Sequence, residues 1–348
     1  MKNKLTVGAS PHVRSSETTT GIMLDVIIAL APALIAAVIY YGSRAVVLTG
    51  VCVGTCVLFE YISRKVMKRQ NTVGDLSAIV TGLLLAFNLP ATMPLWMAAI
   101  GSFIAIVVVK QMFGGIGQNF VNPAISARII LMVSFPTAMA TWVVPFTSAW
   151  AGTSASTSAS SAASAVADAV TAATPMATLA DVSASSFSIA TDGLWSIKDL
   201  LLGNHGGSMG ETCALALLCG GIYLILRRVI SPIIPCVFVG TTALFMLIVS
   251  GGNFEYMLYQ VLSGGLLLGA IFMATDYSTS PINFKGKIIF AIGCGLITGI
   301  IRYYGALVEG VSFAIILMNI FVPHIENLTR SKGFGFVKEK KVKEVEAK

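Results

Sequence analysis

The stretch DAVTAATP, Asp168 to Pro175, sets two threonine hydroxyls, Thr171 and Thr174, behind a carboxylate. A hydroxyl on a segment of small residues can be reached by a modifying enzyme. The stretch follows the tract AGTSASTSASSAASAVA, so on its own residues it reads first as a bland polar linker. A second polar stretch, GNHGGSMGET (203–212), places four glycines, Ser208, Glu211 and Thr212 just before an apolar run. Free N–H groups at a helix start favour anions, so this loop is a candidate cradle for an anionic group of a cofactor. Gly-rich loops before helices also occur with no ligand at all, and His205 within this one reads as either a partner or a solvated side chain.

A third stretch, KQMFGGIGQNFVNPAISAR (110–128), leads into an apolar segment. Its glycines permit close backbone approach, Asn119 and Asn122 can hydrogen-bond a planar heterocycle, and Pro123 suits the first turn of a helix. It reads equally as a re-entrant turn that lets helices pack. Its counterpart MATDYSTSPINFKGK (273–287) carries Asp276, which at a helix end either caps backbone or contacts a cation. The cysteines number six, and all fall in apolar runs. Cys52 and Cys56 can share one helix face, but no CxxC occurs, so small buried side chains are expected rather than a disulfide framework or a metal site.

The elements that must position these groups are apolar. The chain is 55% hydrophobic and 11% charged over 348 residues, with a mean hydropathy of +0.83. Soluble domains carry roughly a quarter charged residues, so most of this surface does not face water. An all-α, multi-pass membrane protein is expected. A membrane helix needs about 20 mostly apolar residues, and ten candidates fall near 21–41, 44–63, 75–90, 94–112, 122–146, 211–230, 232–250, 257–274, 286–304 and 309–327. The net charge of +7 does not call for nucleic acid. Assigned to alternating sides, 19 of the 23 Lys and Arg fall on one side and three, Arg44, Lys198 and Arg302, on the other, with Arg128 inside a span. That asymmetry predicts both termini in the cytoplasm and the 147–210 loop outside the cell membrane. The polar start MKNKLTVGASPHVRSSETTT, followed by a span of full length, does not read as a secretory signal peptide.

The two halves echo one another. LSAIVTGLLLAFNLPATMP (76–94) resembles YQVLSGGLLLGAIFMATDYSTSP (259–281), and ISARIILMVSFP (125–136) resembles VSFAIILMNIFVP (311–323). With five spans in each half the second copy must be inverted, and such repeats build sites from short, Gly/Pro-interrupted helices. The expected organisation is a cytoplasmic segment 1–20, a first five-helix repeat 21–146, an extracytoplasmic loop 147–210, a second repeat 211–327 and a basic cytoplasmic tail 328–348. Asp25 and Arg128 are the more interior of the ionisable residues in these spans, a class that is costly in hydrocarbon and often functional.

The order SPHVRSSETTTGIMLDVIIALAPA (10–33), GGIGQNFVNPA (114–124), TAATP (171–175), LLGNHGGSMGETCALALLCGGIYL (201–224) and MATDYSTSP (273–281) resembles the D-subunit family of Rnf complexes over nearly the whole chain. That family is related to the B subunit of the sodium-pumping NADH:quinone reductase. The resemblance implies a subunit of a membrane complex that passes electrons between ferredoxin and NAD and couples this to Na⁺ or H⁺ movement. It implies FMN joined through its phosphate to a threonine by a separate flavin transferase. The family motif, Asp-x-x-Ser/Thr-Gly-Ala-Thr, falls on Asp168, Thr171 and Thr174, so Thr174 is the implied anchor. Ala172 stands where the family has Gly. The resemblance also implies partner subunits bearing flavin and iron–sulfur groups, a further non-covalent flavin in the membrane domain, and a urea-transporter-like fold of two inverted five-helix repeats. Two alternatives stay open: a quinone-reductase B subunit, whose N-terminal region is typically longer than the twenty polar residues here, and a channel or carrier for a small solute.

Overall fold

The computed structural model describes residues 17–143, 145, 174–180, 187, 195–305 and 310–330. Asp168 and Thr171, with most of the 1–20, 147–210 and 328–348 segments, lie outside the described residues. The described residues form helices and no β-strand. In chain order these are α1 (Thr19–Tyr41), α2 (Ser43–Val66), α3 (Ser77–Phe87), α4 (Leu95–Phe103, continued in π-helical form over Ile104–Gln111), α5 (Pro123–Ser134), α6 (Pro136–Met139), α7 (Pro175–Ala180), α8 (Ile197–Leu202), α9 (Ala214–Leu226), α10 (Ile233–Val249), α11 (Phe254–Leu262), α12 (Leu266–Leu268, continued in π-helical form over Gly269–Met273), α13 (Phe284–Tyr304) and α14 (Val311–Thr329).

Helix falls in each of the ten expected spans, but not at the expected lengths. Four helices, α1, α2, α13 and α14, are long and apolar enough to cross a membrane, and α11 with α12 makes a fifth candidate bent by 63°. The others are shorter apolar helices. The span expected over 122–146 stops at Ser134, because Pro136 disfavours helical backbone at Phe135, which sits at φ −133° and ψ 60°. The span expected over 257–274 breaks at Ser263–Gly265, where Gly264 adopts φ +68°, a conformation glycine enters at little cost. The four helices long and apolar enough to cross a membrane, with their exposed apolar side chains, mark this as a membrane protein.

The core is built by α10 on α13, α2 on α3, α13 on α14 and α1 on α9. Small residues allow these close crossings. A Cβ at Gly220 of α9 would overlap the Ala29 carbonyl oxygen of α1 and lie 3.0 Å from Phe272. Gly220→Val is therefore expected to force α1 and α9 apart at a cost of about 1–3 kcal/mol or more. A lowered melting temperature in detergent would show it, and an unchanged one would place the crossing elsewhere.

Candidate functional site

Helix α3 is only 11 residues long and ends inside the protein. Its last carbonyls have no partner within the helix and need one from elsewhere. The 203–212 loop supplies it. Gly210 N–H donates to the Phe87 carbonyl at 2.9 Å and Met209 N–H to that of Leu89 at 3.2 Å. Glycine is required at 210, because a Cβ there would strike Phe87. Tyr41 Oη donates to the Gly207 carbonyl at 3.1 Å, and Tyr40 Oη donates to the Leu202 carbonyl.

This arrangement carries Glu211 to Arg128 of α5. Glu211 Oε1 lies 3.1 Å from Arg128 Nη1, and both side chains are below 5% exposed. The same guanidinium nitrogen donates to Asn88 Oδ1 at 2.8 Å, and Asn88 donates its own amide to the Leu84 carbonyl at 2.5 Å. Arg128 thus joins the end of α3 to the loop. Across from it, Gly265 of the broken α11–α12 helix has room for no side chain, since its Cβ would lie 2.6 Å from Glu211 Oε1.

The sequence-predicted residues of the loop are all buried, and Glu211 is bound within the protein by Arg128. Thr212 Oγ1 donates to the Met209 carbonyl at 3.4 Å. Ser208 Oγ has no hydrogen-bond partner among the described residues. Burial pushes the His205 imidazole below its ordinary pKa, so the ring is neutral near pH 7. The cradle expected for an anion is therefore a packed plug at the end of α3, and its one fixed charge is negative.

Thr174 is 6% exposed. Composition suggests an accessible segment; instead Pro175 opens α7, and Met176 and Leu179, each 4% exposed, pack on the core. Ser263 Oγ donates to Met176 Sδ at 3.0 Å, so α7 sits against the break between α11 and α12. Phe187 packs there too, edge-on to Tyr256 and Tyr259. The Thr174–Leu179 segment and the Arg128–Glu211 pair therefore flank the same broken helix.

At the other end of the bundle a small cleft of about 110 Å³ lies between α3, α5, α9 and the end of α12. That is below the roughly 300–1,000 Å³ of small-molecule sites. Lys110, Asn119, Asn122, Thr275, Asp276 and Tyr277 contribute to its walls. Asn119 Oδ1, shielded from solvent, has no partner among the described residues. Asn122 has both ends of its amide engaged: Oδ1 accepts from the Ala124 and Ile125 N–H groups as an N-cap, and Nδ2 donates to the Met273 carbonyl. Asp276 caps its own turn, accepting from Ser278 Oγ at 3.0 Å and Thr279 Oγ1 at 3.3 Å.

The sequence did not signal the ion pair behind this cleft. Lys110 Nζ lies 2.9 Å from Glu60 Oε2 and donates to Ser77 Oγ at 2.7 Å, with Lys110 2% and Glu60 1% exposed. Gln111 and Thr72 complete the carboxylate's bonding at 3.1 and 2.9 Å. The π-helical turn over Ile104–Gln111 sets successive residues Lys110 and Gln111 on one carboxylate, a use of such turns seen at functional sites. Asp25, expected to be interior, instead sits near the end of α1 and α9, paired with Arg227 at 3.1 Å and with Tyr223 Oη at 2.9 Å.

A sequence model described as the NQR2, RnfD, RnfE family matches residues 6–335 of the chain. The chain is 45% identical to the D subunit of the Na⁺-translocating ferredoxin:NAD⁺ oxidoreductase complex of Acetobacterium woodii, over 97% of both chains. It is 40% identical to the D subunit of the proton-translocating ferredoxin:NAD⁺ oxidoreductase complex of Clostridium ljungdahlii, over 96% of this chain and 97% of that one. It is 37% identical to the D subunit of the ion-translocating oxidoreductase complex of Stutzerimonas stutzeri, over 90% and 91%.

Proposed function

The chain belongs to the NQR2, RnfD, RnfE family, and from that premise we propose that it is the D-type membrane subunit of an ion-translocating ferredoxin:NAD⁺ oxidoreductase complex. The observation that carries this reading is the 45% identity to a D subunit over 97% of both chains. The reading puts the protein in an oxidoreductase of several subunits, whose electron transfer drives Na⁺ or H⁺ across the cell membrane. The skewed placement of Lys and Arg supports cytoplasmic termini and an external 147–210 segment. The paired short or broken elements, α3 in one half and α11–α12 in the other, support two inverted five-helix repeats of urea-transporter-like fold.

Within this reading Thr174 is the attachment point of FMN, linked through its phosphate by a separate flavin transferase that recognises Asp168 and Thr171. A bound flavin exchanges one or two electrons at a time, and the protein supplies position and electrostatics. The residues present fit such a group: the threonine's segment docks beside a helix break, and the Arg302 guanidinium stands next to Gly264 of that break. Because Thr174 is buried beside Pro175, the transferase meets this segment before α7 docks. In this reading a second, non-covalent flavin is sought at the opposite end, where the cleft of about 110 Å³ has to widen to admit it. The cleft's unpartnered Asn119 Oδ1 is an acceptor for a ring N–H, and Asn122 shapes the wall as an N-cap rather than as a ligand. The plug residues Ser208, Glu211 and Thr212 serve in this reading to close the end of α3.

Membranes from cells lacking this chain are expected to lose ferredoxin-dependent NAD⁺ reduction, with restoration by the wild-type chain. Full activity in its absence would remove the protein from the complex. Solute uptake by liposomes holding the chain alone would favour a carrier instead.

A further inference from the structure

We infer that Arg302 holds the phosphodiester that joins Thr174 to its flavin, an inference that rests on the attachment reading above. Arg302 lies in the last turn of α13 and reaches across to the broken helix. Its Nη1 donates to the Gln260 carbonyl at 2.5 Å and its Nη2 to that of Ser263 at 3.3 Å, which places the cation at the carbonyl end of α11. At the next residue, Gly264, a Cβ would sit 3.0 Å from Arg302 Nη2 and 3.3 Å from Met176 Cγ. The guanidinium and the Met176 side chain therefore close on Gly264 together, so tightly that even a methyl group there would crowd both. Thr174 lies two residues before Met176 on the same docked segment and is itself buried.

A phosphodiester at Thr174 brings a full negative charge into this dry corner, and a buried charge without a counter-ion is costly. Arginine answers that need better than lysine, since its planar fork matches phosphate oxygens and stays charged. The other cations at this end are placed elsewhere. Arg44 donates to the Ala91 and Met93 carbonyls, Lys198 is exposed on α8, and Arg128 pairs with Glu211. Arg302 makes or breaks no bond here; it is a binding residue for the linked phosphate, and the lack of a side chain at Gly264 lets the guanidinium and the Met176 segment approach one another.

The rival role, a plain cap for α11, predicts a different result in a double-mutant cycle. The complete chain is expressed with its transferase and melted in detergent in four forms: wild type, Arg302→Gln, Thr174→Val and the double variant. Arg302→Gln is expected to lower the melting temperature more in the flavin-bearing chain than in the Thr174→Val background, and Arg302→Lys to recover part of that difference. It is also expected to lower the fluorescence anisotropy of the attached flavin. Equal shifts in both backgrounds with unchanged anisotropy would overturn the inference and leave a cap. If Arg302→Gln fails to fold, the same comparison is made with Arg302→Lys. A wild-type chain that shows no flavin fluorescence on a denaturing gel would overturn the attachment reading, and this inference with it.

Discussion

Replacing Arg128 with methionine is expected to destabilise the protein by about 3–5 kcal/mol, because it strands a buried carboxylate. Glu211 is 3% exposed, and its pairing with Arg128 at 3.1 Å is what balances its charge. The same substitution removes the donor to Asn88 Oδ1, itself 1% exposed. The double variant Arg128→Met/Glu211→Leu should recover most of the loss, since a buried pair and an apolar pair of similar volume are often near-equal in stability. Recovery stays incomplete, because Asn88 Oδ1 is still left without its donor, a deficit of roughly 1–3 kcal/mol. Thermal melts of these variants and the wild type in detergent check this. A single variant as stable as wild type would mean that the pair does not pin the 203–212 loop to α3. The consequence reaches the Thr174–Leu179 segment, because Glu211 and Met176 both pack against the same break at Ser263–Gly265.

Thr174→Ala is expected to abolish the covalent flavin altogether. A phosphoester needs the hydroxyl oxygen, so the effect is all-or-none rather than a graded loss. Thr174→Ser keeps an oxygen at the same place and is expected to retain labelling. Thr171→Ala changes the recognition motif but not the anchor, so it should lower the yield of labelled chain without moving the label. Ultraviolet fluorescence of the band on a denaturing gel, with and without co-expressed transferase, reads all three. Persistence of the band in Thr174→Ala would put the flavin on another residue. On the attachment reading the burial of Thr174 adds a condition: Met176 and Leu179 hold α7 on the core, so labelling is expected to compete with docking.

The apolar segments were legible in the sequence because each carries its own signal of length and hydropathy. Their interruptions were partly legible. The pair Phe135–Pro136 ends α5, and the run Ser263–Gly264–Gly265 breaks the eighth span, both from local backbone preferences that one sequence displays. The burial of Thr174 was not legible from the Ala/Ser/Thr tract before it; the signal lay after it, in Met176 and Leu179 at helical spacing. The ion pairs were invisible for a different reason. Lys110 and Glu60 stand 50 residues apart, and only the packing of α4 on α2 brings them together. The Gly-rich 203–212 stretch was misleading in the same way. Its glycines serve close approach to Phe87 and Thr212, and its N–H groups serve α3, which a motif reading cannot distinguish from an open anion site.

The attachment of FMN at Thr174 is the central claim, and mass spectrometry of peptides spanning 147–210 tests it most directly. The chain is purified after expression with its transferase, digested and sequenced by fragmentation. The expected result is one peptide heavier by an FMN phosphoryl adduct, with fragments that localise the mass to Thr174. Unmodified peptides across the whole loop, or an adduct localised to any other hydroxyl, would contradict it.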